Sequence, residues 1–164
     1  MGIQNISLNA SLVLTGLSAG LFYAWSVSVI PGLQKIEDLA YLNALQSINR
    51  EILNPAFFVV FFGALVALVC ATFFTYPVST KGFWFLLVAT LAYLIGTVGV
   101  TGLGSVPLNH ELDALKLKEL STQKINEFRQ YYESHWNQLH TIRMLFSVLS
   151  FLMALLALNT QFKN

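Results

Sequence analysis

A chain of 164 residues, 55% apolar, 10% charged and with a mean hydropathy of +0.63, lacks the composition of a water-soluble globule, in which about a quarter of residues are charged. The net charge of +1 comes with no basic stripe, which argues against nucleic acid as a partner because that binding rests on neutralising phosphates. A single cysteine, Cys70, leaves neither a disulfide frame nor a cysteine metal site.

The nine basic and eight acidic residues avoid four stretches entirely: 1–34, 52–80, 82–110 and 144–162. A hydrocarbon core about 30 Å thick takes about 20 helical residues, and a span in lipid must satisfy its own backbone hydrogen bonds. Continuous apolar runs without period-two alternation select helices over a barrel. The expected fold is therefore all-α, an integral membrane four-helix bundle in one domain over 1–164, with spans at about 6–30, 55–76, 83–106 and 139–158 and the lipid bilayer as its surroundings.

Span one has no Lys or Arg ahead of it and runs on to Ile30, beyond the roughly 7–15-residue core of a cleaved signal, so it is expected to be retained. Pro31-Gly32 closes it. Ile36, Leu39, Leu42, Leu45, Ile48 and Ile52 then recur at three- and four-residue steps, which describes an amphipathic helix lying on the membrane surface or capping the bundle. Asn54-Pro55 opens span two, where Phe57, Phe58, Phe61 and Phe62 can pack or line a cleft, and Tyr76-Pro77 closes it.

In span three Gly96, Gly99 and Gly102 recur every third residue. With Gly16 and Gly20 they predict close packing of spans one and three. Val106-Pro107 is expected to end span three. Ser121 or Thr122 caps the last helix, whose Ile125, Phe128, Tyr132, Trp136 and Leu139 carry a helical stripe from outside the lipid into span four.

Counting crossings puts the loops 32–54 and 108–138 on one face, with all eight acidic and, counting Arg143 at the edge of span four, seven of the nine basic residues. Lys81, Lys163 and both termini fall on the other. The basic excess predicts that the elaborated face is cytoplasmic in the cytoplasmic (plasma) membrane.

That face also gathers the candidate chemistry. Trp136, Asn137, His140 and Arg143 are spaced to share one helix face, so an imidazole that titrates near neutrality lies beside a fixed cation and an amide where span four enters the bundle. Such a stripe suits proton abstraction. The competing reading is an interfacial anchor of snorkelling arginine and belt tryptophan. Asn49, Asn54 and Asn109 reach the same depth, each with an alternative reading as a cap or turn residue. Metal binding is not expected: His110, His135 and His140 share a side with Glu111 and Glu133, but His135 and His140, five apart on one helix, diverge by about 140°. No phosphate loop, nucleophile elbow or carboxylate pair is present.

The order of span, Pro-Gly-Leu, a segment with Ile48-Asn49-Arg50, Asn54-Pro55-Ala56-Phe57, two spans, Val106-Pro107-Leu108-Asn109, and Trp136-Asn137-x-x-His140-x-x-Arg143 before a final span resembles the anthrone-oxygenase-like family of small four-span membrane proteins, over about residues 10–158. The resemblance implies oxidation of an anthrone to an anthraquinone by molecular oxygen as co-substrate, with no metal or organic cofactor. It points to His140, Arg143 and Asn109 as catalytic and to Asn49, Asn54, Trp136 and Asn137 as substrate-binding. Relatives more often carry an acidic or amide residue after the asparagine, where this chain has His110, so no role passes to that position.

Two kinds of function follow. One is a cofactor-independent oxygenase, or a related proton-abstracting enzyme, on a lipophilic small molecule. The other is a non-catalytic membrane module that binds a small molecule or quinone or serves as an accessory subunit. Homo-oligomerisation is compatible with both. A transporter is disfavoured, because nothing ionisable falls near the middle of a span.

Overall fold

The computed structural model describes residues 2–161, so Lys163 lies outside the described residues; these form helices and connections without a strand. Three helices in chain order are α1 (Ile3–Leu33), α2 (Asp38–Glu51) and α3 (Pro55–Thr75). α4 (Thr80–Asp113) and α5 (Thr122–Gln161) complete them. All but α2 are long and apolar enough to cross a membrane.

Contacts fix their relative directions. Gly16 of α1 faces Phe151 of α5, while Ser26, further along α1, meets His140, earlier along α5; these two helices are antiparallel. Thr97 pairs with Ser147 and Gly82 faces Thr160, so α4 and α5 are antiparallel too. Thr72 with Thr90 and Phe61 with Tyr93 make α3 and α4 a hairpin. The end of α1, all of α2, the start of α3 and the end of α4 therefore gather at one end of the bundle, where α5 projects beyond it.

The bundle interior combines Leu8, Leu68, Leu86 and Tyr93 with many small and hydroxylated residues. Ala64, Ala67, Ala71, Ala89, Ala92, Ala154 and Ala157 are buried beside Ser11, Thr15, Ser18, Thr97, Ser147 and Ser150. Bulkier side chains such as Val59, Val66, Phe73 and Leu103 face outward. Lipid tails are as apolar as leucine, so helix association in a bilayer depends on close packing and interhelical hydrogen bonds. Ser18 Oγ lies 2.9 Å from Tyr93 Oη, whose hydroxyl donates to the Phe61 carbonyl. Ser150 Oγ donates to the Ala89 carbonyl.

The glycine expectation needs correction. Gly16 and Gly96 admit Phe151 and Phe146 of α5, Gly104 admits Leu139, and Gly20 and Gly102 have open space where a side chain would go. The close approaches are made to span four, not between spans one and three.

Neither Pro31 nor Pro107 ends its helix. α1 runs through Pro31 to Leu33, and α4 through Pro107 to Asp113. Proline removes an N–H and crowds the carbonyl four residues back. Before each, the helix widens to the i→i−5 pattern, over Trp25–Val29 and over Thr101–Ser105. The Ile30 and Val106 N–H groups bond the carbonyls of Trp25 and Thr101, and the prolines enter already widened turns.

α2 caps the bundle, with Tyr41, Leu42 and Leu45 packed against Leu108, Leu112, Ile125, Tyr132 and Trp136. Its predicted stripe is divided: Ile36 and Leu39 are exposed, whereas Ile48 and Ile52 face a cavity. Arg129 of α5 ties down the α1–α2 connection, donating to the Gln34 and Ile36 carbonyls and to Asp38, with its guanidinium 4.5 Å from the Tyr41 ring centroid.

Candidate functional site

At the end of the bundle that α2 covers, residues of α1, α2, α4 and α5 and the start of α3 line a partly open cavity of about 230 Å³. Asn49, Asn109, Trp136, His140 and Arg143 all line it. The helical spacing of Trp136, His140 and Arg143 turns all three inward, at 6%, 1% and 7% exposure. Phe57 also contributes to the wall, whereas Phe61 packs on Tyr93 and Phe58 and Phe62 face outward.

Two expected binding residues lie elsewhere. Asn54 is exposed at the N-cap of α3, its Oδ1 accepting from the Phe57 N–H and its Nδ2 donating to the Glu51 carbonyl. Asn137 shares the helix but not the cavity wall, and its backbone carbonyl accepts from Thr141 Oγ1.

The widened turn of α1 places Ser26 against His140. Nε2 of His140 lies 3.1 Å from the Phe22 carbonyl oxygen and 2.9 Å from Ser26 Oγ. A carbonyl can only accept, so in the neutral ring this contact assigns the hydrogen to Nε2 and leaves the lone pair on Nδ1. That atom is buried and has no partner among the described residues. The Trp136 indole stacks on the imidazole, with ring centroids 5.0 Å apart and planes 8° apart.

Arg143 is buried without a carboxylate partner among the described residues. Its guanidinium carbon lies 5.3 Å from the ring centroids of both Phe22 and Trp136, and its Nε has no partner. Ionised groups taken out of water normally require pairing. Five buried side-chain polar atoms lack a partner among the described residues, and four belong to cavity residues: Trp25 Nε1, Ser105 Oγ, His140 Nδ1 and Arg143 Nε. Unsatisfied buried polar atoms are rare in native folds. Their concentration on residues of one cavity singles this region out chemically.

A hydrogen-bonded chain stands beside them. Trp136 Nε1 donates to Asn109 Oδ1 at 3.2 Å, Tyr132 Oη donates to the same oxygen at 2.8 Å, and Asn49 Nδ2 donates to Tyr132 Oη at 3.0 Å. At the rim Arg50 pairs with Asp113 at 2.6 Å.

Among the described residues no three His, Cys, Asp or Glu side chains converge as metal ligands. His135 is exposed, with Nδ1 at 2.7 Å from the Tyr131 carbonyl.

Residues 57–153 match the family model described as anthrone oxygenase. The chain belongs to the anthrone oxygenase family. The matched range includes Asn109, Trp136, Asn137, His140 and Arg143 and leaves Asn49 and Asn54 outside it. Comparison with curated proteins and with solved structures gave no match.

Sequence reasoning missed Phe22, Trp25, Ser26 and Ser105 as parts of this site and treated Tyr132 only as packing. The hydroxyls of Ser26 and Ser28 inside a long apolar run were the available signal for the α1 wall. Nothing in the sequence marks a backbone carbonyl such as that of Phe22.

Proposed function

We propose that this member of the anthrone oxygenase family is a cofactor-independent oxygenase that takes a lipophilic, anthrone-like aromatic ketone into the cavity beneath α2. The observation that carries the reading is that four of the five unpartnered buried polar atoms among the described residues belong to residues lining one cavity, an imidazole nitrogen among otherwise donor-capable groups.

An anthrone's ring methylene is acidified by its flanking rings and by the carbonyl across the ring. Nδ1 of His140 removes one methylene proton, and the negative charge passes to the carbonyl oxygen. The Arg143 guanidinium and neighbouring N–H donors stabilise that oxyanion. The carbanion transfers electrons to molecular oxygen and forms a carbon–oxygen bond, giving a hydroperoxide after protonation. Loss of the remaining hydrogen on that carbon as a proton, with cleavage of the O–O bond, yields the quinone carbonyl and water. One oxygen atom enters the product and the other leaves in water. Oxygen and a polycyclic phenol both partition into lipid, which suits a chamber at the loop-bearing end of a membrane bundle. The basic excess of the loop-bearing end favours a cytoplasmic placement for it in the plasma membrane.

The test is oxygen uptake by protein purified in detergent and supplied with an anthrone, with quinone formation followed by absorbance. Turnover by the wild-type protein and its loss in a folded His140→Ala variant are expected. Substrate binding without oxygen uptake would make the chain a binding module instead. A stoichiometric metal in the active preparation would recast His140 as a ligand.

A further inference from the structure

We infer that Trp136 and Tyr132 fix the polarity of the cavity wall, so that it selects a ligand bearing a protonated hydroxyl group together with an acceptor oxygen. The inference rests on the cavity being a substrate site and not on the oxygen chemistry.

The polarity follows link by link. An indole N–H only donates, so the Asn109 atom facing Trp136 must be its oxygen. Tyr132 Oη lies 2.8 Å from that oxygen and must spend its single hydrogen there. Its lone pairs are then all it can offer Asn49, so the Asn49 atom 3.0 Å away must be the amide nitrogen. Neither asparagine can flip without breaking a link.

The outer halves of the two amides are thereby determined. Asn109 keeps a free NH2 donor and Asn49 a free carbonyl acceptor, and neither atom has a partner among the described residues. Both side chains line the cavity, and both are bonded to one tyrosine oxygen, so they are neighbours. Tyr132 is itself fully buried, packed on Phe128, and does not line the cavity. It acts through the asparagines as a positioning residue. A ligand oxygen satisfies the Asn109 NH2, and the Asn49 carbonyl demands a hydrogen, which a phenol supplies and its methyl ether does not.

Binding to the purified full chain, measured calorimetrically without oxygen, tests this with 7-hydroxy-1-tetralone and 7-methoxy-1-tetralone. These compact ketones differ in the hydroxyl hydrogen and have no internal hydrogen bond to mask it. The wild-type protein should prefer the hydroxy compound by about tenfold, the worth of one hydrogen bond, and Tyr132→Phe should reduce that preference to about twofold or less. Asn49→Leu, which removes the acceptor at a half-buried position, should do the same and carries the test alone if Tyr132→Phe does not fold. Comparing the same two compounds across variants cancels their partitioning into detergent. Equal affinity for both compounds in the wild type, binding of neither, or an undiminished preference in either folded variant overturns the inference. A protein that discriminates but never consumes oxygen with an anthrone leaves the inference standing and overturns the oxygenase reading. Oxygen consumption without discrimination does the reverse.

Discussion

The imidazole of His140 lies flat against the indole of Trp136, their planes 8° apart, while its Nε2 is held by the Phe22 carbonyl and Ser26 Oγ. The ring is thus fixed on its face by one helix and on its edge by another. Ser26 is the replaceable part of this mount, because the carbonyl remains when the hydroxyl is removed. Ser26→Ala should lower oxygen uptake with an anthrone by up to about tenfold, the effect of one neutral hydrogen bond, with at most a small fall in melting temperature. Full activity in a folded Ser26→Ala protein would show that the hydroxyl does not help to hold the base.

Arg143 makes a sharper prediction, because its two possible roles have opposite consequences for stability. A buried guanidinium without a carboxylate is a burden on the ligand-free fold, and groups kept for function at such a cost are often stabilising to remove. Arg143→Met should raise the melting temperature of the ligand-free protein and reduce turnover by about 10²–10³-fold, the usual loss when an oxyanion donor is deleted. A structural arginine would give the reverse pattern: a lower melting temperature and retained turnover.

The four spans were legible because charge is excluded from whole segments, a property that survives any detail of packing. The stripe at Trp136, His140 and Arg143 was legible because α-helical spacing alone brings those side chains to one face. The continuation of α1 and α4 through Pro31 and Pro107 was hidden, because proline is locally a helix breaker and widened turns of the kind seen at Trp25–Val29 and Thr101–Ser105 have no simple residue signature. Ser26 and the Phe22 carbonyl were hidden for a related reason: Ser26 lies in one of those turns, and both meet His140 across 114 residues or more of sequence. Asn54 and Asn109 both lie within two residues of a proline, yet one caps α3 and the other lines the cavity. Only the tertiary arrangement separates them.

The glycines of α4 predict a graded steric series. A methyl group at Gly96 would come within 2.0 Å of the Phe146 ring, and one at Gly104 within 2.8 Å of Leu139, whereas one at Gly102 meets nothing within 4 Å. Gly96→Ala should destabilise the bundle by at least the about 1–3 kcal/mol typical of overpacking. Gly104→Ala should cost less, since the end of a leucine side chain can move, and Gly102→Ala should be tolerated. Melting temperatures in one detergent give the ranking. Adding Phe146→Ala to Gly96→Ala should recover part of the loss, because the two sites share one contact and are not additive. Equal melting temperatures for all three single variants would contradict the close approach of α4 and α5.

Outside the spans, Asp38 links the α1–α2 connection to α5, and its linkage to pH has a definite sign. Asn126 Nδ2 donates to Asp38 Oδ2 at 2.8 Å and Arg129 Nη1 to Oδ1 at 2.7 Å. The Asn126 hydrogen bond, followed by the hydrogen bond and charge of Arg129, holds the carboxyl below its ordinary value of 3.8 against the opposing effect of partial burial. A carboxylate whose folded pKa is depressed contributes stability that is fully present above the unfolded value and is lost as pH falls through the folded one. Wild-type protein should therefore melt above Asp38→Asn at neutral pH, and the difference should vanish as the pH is lowered past 3.8 and through the depressed folded value. Removing the carboxylate also leaves Arg129 with Glu133 as its only ion-pair partner among the described residues, which adds to the neutral-pH gap. Paired thermal melts across that range decide the matter: a gap that widens toward acid would mean that Asp38 is held in its protonated form and that the α1–α2 connection is secured by something other than this ion pair.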